Sequence, residues 1–235
     1  MKTIILLLIF IINLQLVAQE QVSVRHVRKK IDYEFSIDKL YNKKTGKRVS
    51  EKEFKEILKK NPDIQIEQIY NNKGKIVKYL YDPDNIVTSS LISSKESVTV
   101  GDYYPELIFK TIDGEIIKLK DLNGKMVILR FEMEADTFRF KKQEIKEMDQ
   151  GINDTERRSE IEAIIIFEAS KEQVRSGFDF ENSNFRLVPN GFGFLRKLNI
   201  NTFPTTVILD KQGRLLEELL WTSEGIDILE LLNKS

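Results

Sequence analysis

The chain has 235 residues, with 37 basic and 37 acidic side chains, one histidine and no cysteine. A hydrophobic share of 41% and a charged share of 31% describe an ordinary globular protein, and a formal charge of zero provides no global field to hold nucleic acid. Without cysteine there is no disulfide, no thiolate-bound zinc, no iron–sulfur cluster and no cysteine nucleophile, and the single His26 argues against multi-histidine metal sites and histidine-dependent triads.

Lys2 supplies a positive start, residues 4–12 (IILLLIFII) form an unbroken apolar run, and residues 13–19 bring small and polar side chains before Glu20. That order predicts a secretory signal cleaved after Ala18 or Gln19. The apolar run falls well short of the roughly 18–20 residues that span a bilayer, so no transmembrane segment is expected once the signal is removed. Removing residues 1–19 takes away only Lys2 and leaves 36 basic against 37 acidic groups. The expected location is periplasmic or secreted. The basic stretch 25–30 reads as a solvated arm, and His26 receives no role.

Residues 20–98 read as a small α+β module with its linker. Ser50 and Glu53 match a capping box, residues Phe54, Ile57 and Leu58 follow at helical spacing, and Asn61-Pro62 stops the helix. Residues 64–70 begin with strand alternation, Asn71-Asn72-Lys73-Gly74 is a hairpin turn, and 75–81 returns as the partner strand. Residues 82–100 are rich in serine and aspartate and carry the expected boundary near Val98.

From Gly101 the pattern becomes an alternation of strands and helices. Asp113-Gly114 predicts a hairpin between 105–110 and 115–119. The nearly continuous apolar run 126–131 suits a strand buried on both faces, and 161–167 suits a second. A charged helix over 140–148 lies between them. Further along come a helical turn at 171–174, strands at 185–188, 205–209 and 214–220, and helices at 194–198 and 225–232. Arg130 interrupts the first apolar strand, which requires a neutralising partner; Glu132, Glu168 or a backbone carbonyl are the candidates.

These residues carry a resemblance. Gly101-Asp102, Pro105, Asp113-Gly114, Leu119, Leu122 and Gly124-Lys125 are similar to the opening hairpin and loop of the thioredoxin-like redoxins. Residues 202–213 (TFPTTVILDKQG) look like that family's cis-proline loop, next strand and turn. The exported thiol–disulfide oxidoreductase and alkyl hydroperoxide reductase type is the nearest pattern, over about residues 99–235. The resemblance implies an α/β thioredoxin-like fold, a central mixed sheet flanked by helices, behind the small α+β module. It also implies a cis bond before Pro204, facing the helix start near Phe138.

In that family the strand matching 126–131 leads into a Cys-x-x-Cys or single-Cys site. Here the two thiol positions fall at Asp136 and Arg139. Disulfide exchange needs an attacking thiolate and peroxide reduction needs a thiolate that becomes a sulfenate, so carboxylate and guanidinium do neither. Thiol-based redox catalysis by this chain alone is excluded. The leading expectation is a non-catalytic binding or scaffold protein for a protein or peptide partner, with no cofactor and no nucleic acid. Phe138, Phe203 and Trp221 are candidate apolar contacts around the old groove. The alternatives are a thiol–disulfide oxidoreductase label that follows ancestry only, or a non-redox enzyme or hard-cation site built on Glu132, Glu134 and Asp136. Against the metal version, Asp136 also suits a helix cap, and no metal site is assigned.

Overall fold

The structure, a computed structural model, describes residues 35–62, 64–84, 98–135, 142–177, 182–220 and 226–235. The expected signal, His26, linker residues 85–97, Asp136, Phe138, Arg139 and Trp221 lie outside the described residues.

Local chemistry builds the first part. Strand β1 (Leu40–Asn42) leads to helix α1 (Glu51–Lys60). At its start the Ser50 hydroxyl accepts the Glu53 N–H at 3.3 Å, and the Glu53 carboxylate accepts the Ser50 N–H at 2.7 Å. This reciprocal capping satisfies two backbone donors that the helix cannot. The helix ends at Asn61, whose N–H donates to the Ile57 carbonyl. Strands β2 (Ile66–Tyr70) and β3 (Ile76–Tyr81) then pair antiparallel, with the Asn71 side chain accepting from the Lys73 and Lys75 N–H groups inside the turn. Sheet order is β1-β3-β2, with β1 parallel to β3. Leu40, Val49 and Tyr79 form the buried centre of this small sheet, with Phe54 and Ile57 of α1 packed against it.

The second part begins with a hairpin of β4 (Ile108–Lys110) and β5 (Ile116–Lys118). A five-stranded sheet follows, made of β6 (Met126–Glu132), β7 (Ile161–Phe167), β8 (Phe185–Val188), β9 (Thr205–Leu209) and β10 (Leu215–Leu220) in the order β10-β9-β6-β7-β8. β6, β7 and β8 run parallel, while β9 and β10 run antiparallel to their neighbours. Every residue of β6 and β7 is buried, as expected of strands covered on both faces.

Alternation along these strands sorts side chains into two cores. Met126 and Ile128 of β6 face α2 (Lys142–Asp154), α3 (Lys171–Gly177) and α5 (Ile228–Lys234), whose Ile145, Met148, Ile152, Val174, Leu231 and Leu232 complete that core. Val127, Leu129 and Phe131 face the other way, toward the β4–β5 hairpin and α4 (Phe192–Lys197). The Phe109 and Phe194 rings meet there at 5.0 Å between centroids, tilted by 58°. The result is a central mixed sheet between helical layers, the α/β thioredoxin-like architecture.

Ser36–Ser235 form one compact unit. The small sheet meets the larger one where the Asn72 carbonyl accepts the Ile108 N–H at 2.7 Å and where β2 lies along α4. The approach is closest at Gly193: a Cβ there would lie 1.7 Å from the Gly74 carbonyl oxygen, so only glycine fits.

Candidate functional site

The end of the sheet at which β6 and β7 both stop is the place to which the sequence pattern points. There the Glu168 N–H donates to the Glu132 carbonyl at 3.0 Å and the Ala169 N–H to the Met133 carbonyl at 3.2 Å, which holds the two strand exits side by side. The chain leaving β8 closes the arrangement: Asn190 N–H donates to the Ala169 carbonyl and Gly191 N–H to the Phe167 carbonyl. Gly191 is fitted to this contact, since a Cβ would lie 2.3 Å from Ile166 Cγ2. β9 arrives from the opposite direction, with Thr205 opposite Phe131 in the register, so Phe203 and Pro204 reach the same end as the exit of β6. The Phe203–Pro204 peptide bond is cis, and the Thr205 hydroxyl donates to the Thr202 carbonyl at 2.8 Å.

Phe203 turns inward. It is 6% exposed and belongs to the core cluster that includes Leu129, Phe131 and Val207, so the ring that the resemblance made a candidate groove contact lies largely in the core. Pro204 is buried as well. Glu134 and Met133 are half-buried at the exit of β6, and Ala135 is buried.

Directly below lies a charged cluster inside the apolar core. Arg130 is fully buried; its Nε donates to Glu132 Oε1 and its Nη2 to Glu144 Oε2, both at 2.7 Å. Glu132 belongs to the same strand two residues on, hence the same face, while Glu144 sits in the first turn of α2. Of the partners the sequence suggested, Glu132 is found and Glu168 is not one of them. Glu144 was missed although a signal existed. Glu144, Met148 and Ile152 recur every four residues, which puts the acid on the buried stripe of the helix.

This geometry engages Glu132 of the proposed carboxylate cluster, whose Asp136 lies outside the described residues. Glu132 neutralises a buried guanidinium, and drawing it to a cation would strand that charge in the core, which is strongly unfavourable. Among the described residues no cluster of three or more metal-ligating side chains occurs. Neither Arg130 nor Glu132 reaches solvent, so the pair cannot trade protons with a substrate. The chain has no cysteine to place at this sheet end.

Thioredoxin-like protein YneN of Bacillus subtilis is 30% identical to this chain over 124 residues, which are 51% of this chain and 72% of that protein. The chain belongs to the thioredoxin-like family. No family model matches it. Among solved structures, the exposed lipoprotein thioredoxin of Streptococcus pneumoniae is 18% identical with a TM-score of 0.45, covering 56% of this chain and all of that one (100%). The thioredoxin domain of a thiol-disulfide oxidoreductase from Bacteroides vulgatus is 18% identical with a TM-score of 0.46, covering 58% of this chain and 95% of that one. This thioredoxin-like chain contains no cysteine at all.

Proposed function

We propose that this protein is an exported, non-catalytic thioredoxin-like protein that binds a protein or peptide partner at the sheet end framed by the exit of β6 and the Phe203–Pro204 loop. One observation carries the reading: a chain of the thioredoxin-like family with not one cysteine in 235 residues. A thiolate is indispensable for exchange with disulfides and for reduction of peroxides, and no other side chain replaces it. Once the chemistry is gone, peptide binding is the use for which such a sheet end remains suited, since the surrounding backbone is pinned by hydrogen bonds from three loops. The apolar run at residues 4–12 supports export to the periplasm or beyond.

Photo-crosslinking in the native host tests the reading. A photoreactive amino acid replaces Asp136, the first thiol position by resemblance, and in a control replaces Lys55 on the exposed side of α1. A discrete protein adduct from position 136 alone supports partner binding at the sheet end. An adduct from position 55 alone transfers the function to the small sheet, and silence at both positions overturns the proposal.

A further inference from the structure

The β2–β3 hairpin of the small sheet carries charge of one sign. Residues 68–81 (QIYNNKGKIVKYLY) contain Lys73, Lys75 and Lys78 and no acid. Lys39 joins them from the turn before β1, where its Nζ donates to the Ile76 carbonyl at 3.2 Å. Lys39, Lys73 and Lys75 are exposed, and Lys78 Nζ lies 4.4 Å from the centroid of the Tyr41 ring. None of the four pairs with a carboxylate among the described residues. The acids that flank these segments serve other cations: Asp38 pairs with Arg48, Glu67 pairs with Lys43 at 2.9 Å, and Asp82 adds to the field on Lys43. The imbalance is regional, since residues 36–84 carry 12 basic and 8 acidic groups whereas residues 98–235 carry 19 and 25.

An apolar side chain stands among these lysines. The strand register steps from Ile69 opposite Lys78 to Tyr70 opposite Ile76, which leaves Val77 as the extra residue of a bulge, 47% exposed.

We propose that this hairpin docks on an anionic bilayer surface, with Lys39, Lys73, Lys75 and Lys78 over lipid phosphates and Val77 at the headgroup boundary. All four cations are lysines, ammonium point charges on long flexible stems. Such groups suit a dispersed field of phosphates, whereas a discrete anion is better met by the fixed bidentate fork of arginine. No ion pair within the described residues has to be broken before they meet a partner, so their charge is available to it. A bulged valine between them adds apolar contact of the kind that headgroup-level binding uses. The signal expected at residues 1–19 carries the chain across a membrane, which brings such a surface within reach. The hairpin makes no use of the sheet end proposed for partner binding, so either reading can fail alone.

The test uses residues 20–235, so that the apolar run at 4–12 cannot itself enter the bilayer, in co-sedimentation with vesicles of phosphatidylglycerol and phosphatidylcholine in equal parts. Binding is expected at about 0.05 M salt and should be lost by about 0.5 M, where screening shortens the reach of exposed charge to a few ångströms. Each lysine neutralised should weaken partitioning about fivefold, equivalent to about 1 kcal/mol. Lys39→Gln, Lys73→Gln and Lys75→Gln together should therefore weaken it about a hundredfold, and an unchanged urea midpoint shows that the fold is kept. Val77→Ser should weaken it about twofold. Because the arm at 25–30 is basic too, Arg28→Gln, Lys29→Gln and Lys30→Gln together form the control. Binding lost in the arm variant but kept in the hairpin variant would overturn the proposal. So would equal binding to vesicles of phosphatidylcholine alone, or capture by polyglutamate with none by vesicles, which would assign the hairpin to an acidic protein.

Discussion

Replacing Arg130 by methionine should unfold much of the margin that keeps this protein native. The guanidinium is fully buried and holds Glu132 and Glu144, whose side chains are 1% and 9% exposed, at 2.7 Å each. Methionine fills most of the volume but leaves two carboxylates in the core without their cation. Removing one member of a buried ion pair typically costs about 3–5 kcal/mol. With a urea dependence of roughly 2.5 kcal/mol per molar for a unit of this size, the midpoint should fall by about 1–2 M at unchanged slope. The decisive companion is the triple variant Arg130→Met, Glu132→Leu, Glu144→Leu. Arg130 Nη1 is buried with no hydrogen-bond partner among the described residues, so even the intact cluster is incompletely satisfied. Apolar replacement of an entire buried cluster is often neutral or stabilising, and the triple variant should recover most of the loss. Urea denaturation followed by far-UV circular dichroism measures all three proteins. If the single variant keeps its midpoint within about 0.3 M of the parent, the guanidinium is not compensating these acids and the electrostatic reasoning fails.

Three further outcomes follow from separate parts of the molecule. Gly193→Ala places a methyl against the Gly74 carbonyl and should cost at least about 1–3 kcal/mol, with faster amide exchange across β2 and β3; unchanged exchange there would refute the close contact. Ser50→Ala removes the hydroxyl that caps α1 and should lower stability by about 1 kcal/mol, visible as faster exchange of the Glu53 amide. Glu160 is held down at about 2 from an ordinary 4.5 by hydrogen bonds from Arg157 and Lys211. A depressed carboxyl stabilises the fold above its unfolded value and loses that contribution as pH falls. The melting-temperature gap between the parent and Glu160→Gln should therefore close between pH 4.5 and pH 2, and a gap constant across that window would exclude the effect.

Local signals in the sequence anticipated most elements because their causes are local. The capping box at Ser50, the Asn71–Gly74 turn and the Asp113-Gly114 hairpin each act within a few residues, and all three stand where the residues put them. The buried strands β6 and β7 were legible from unbroken apolar runs. Other features depend on distant partners. β1 has three residues and pairs parallel to β3 almost forty positions later, a contact with no local signature. Helix α2 was expected to stop near Met148 but continues to Asp154, because Ile152 packs into the core beyond Gly151. Phe203 was a candidate groove contact through the resemblance of its loop to the family's cis-proline loop; its ring lies in the core, a placement set by distant residues of the sheet.

The same distinction explains how the site frame persists without thiols. Among the described residues, the bonds that shape it run between backbone groups of the β6, β7 and β8 exits. Beneath them, Arg130 joins the central strand through Glu132 and the first turn of α2 through Glu144, so strand and helix are fastened to each other from inside. A frame supported by buried charge and main-chain hydrogen bonds imposes no demand on the identity of the residues it displays. The absence of cysteine therefore leaves this hydrogen-bonded frame intact. Selection on such a surface can act through what it binds, which is why a discrete partner captured at position 136 is the observation that bears most directly on the function of this thioredoxin-like protein.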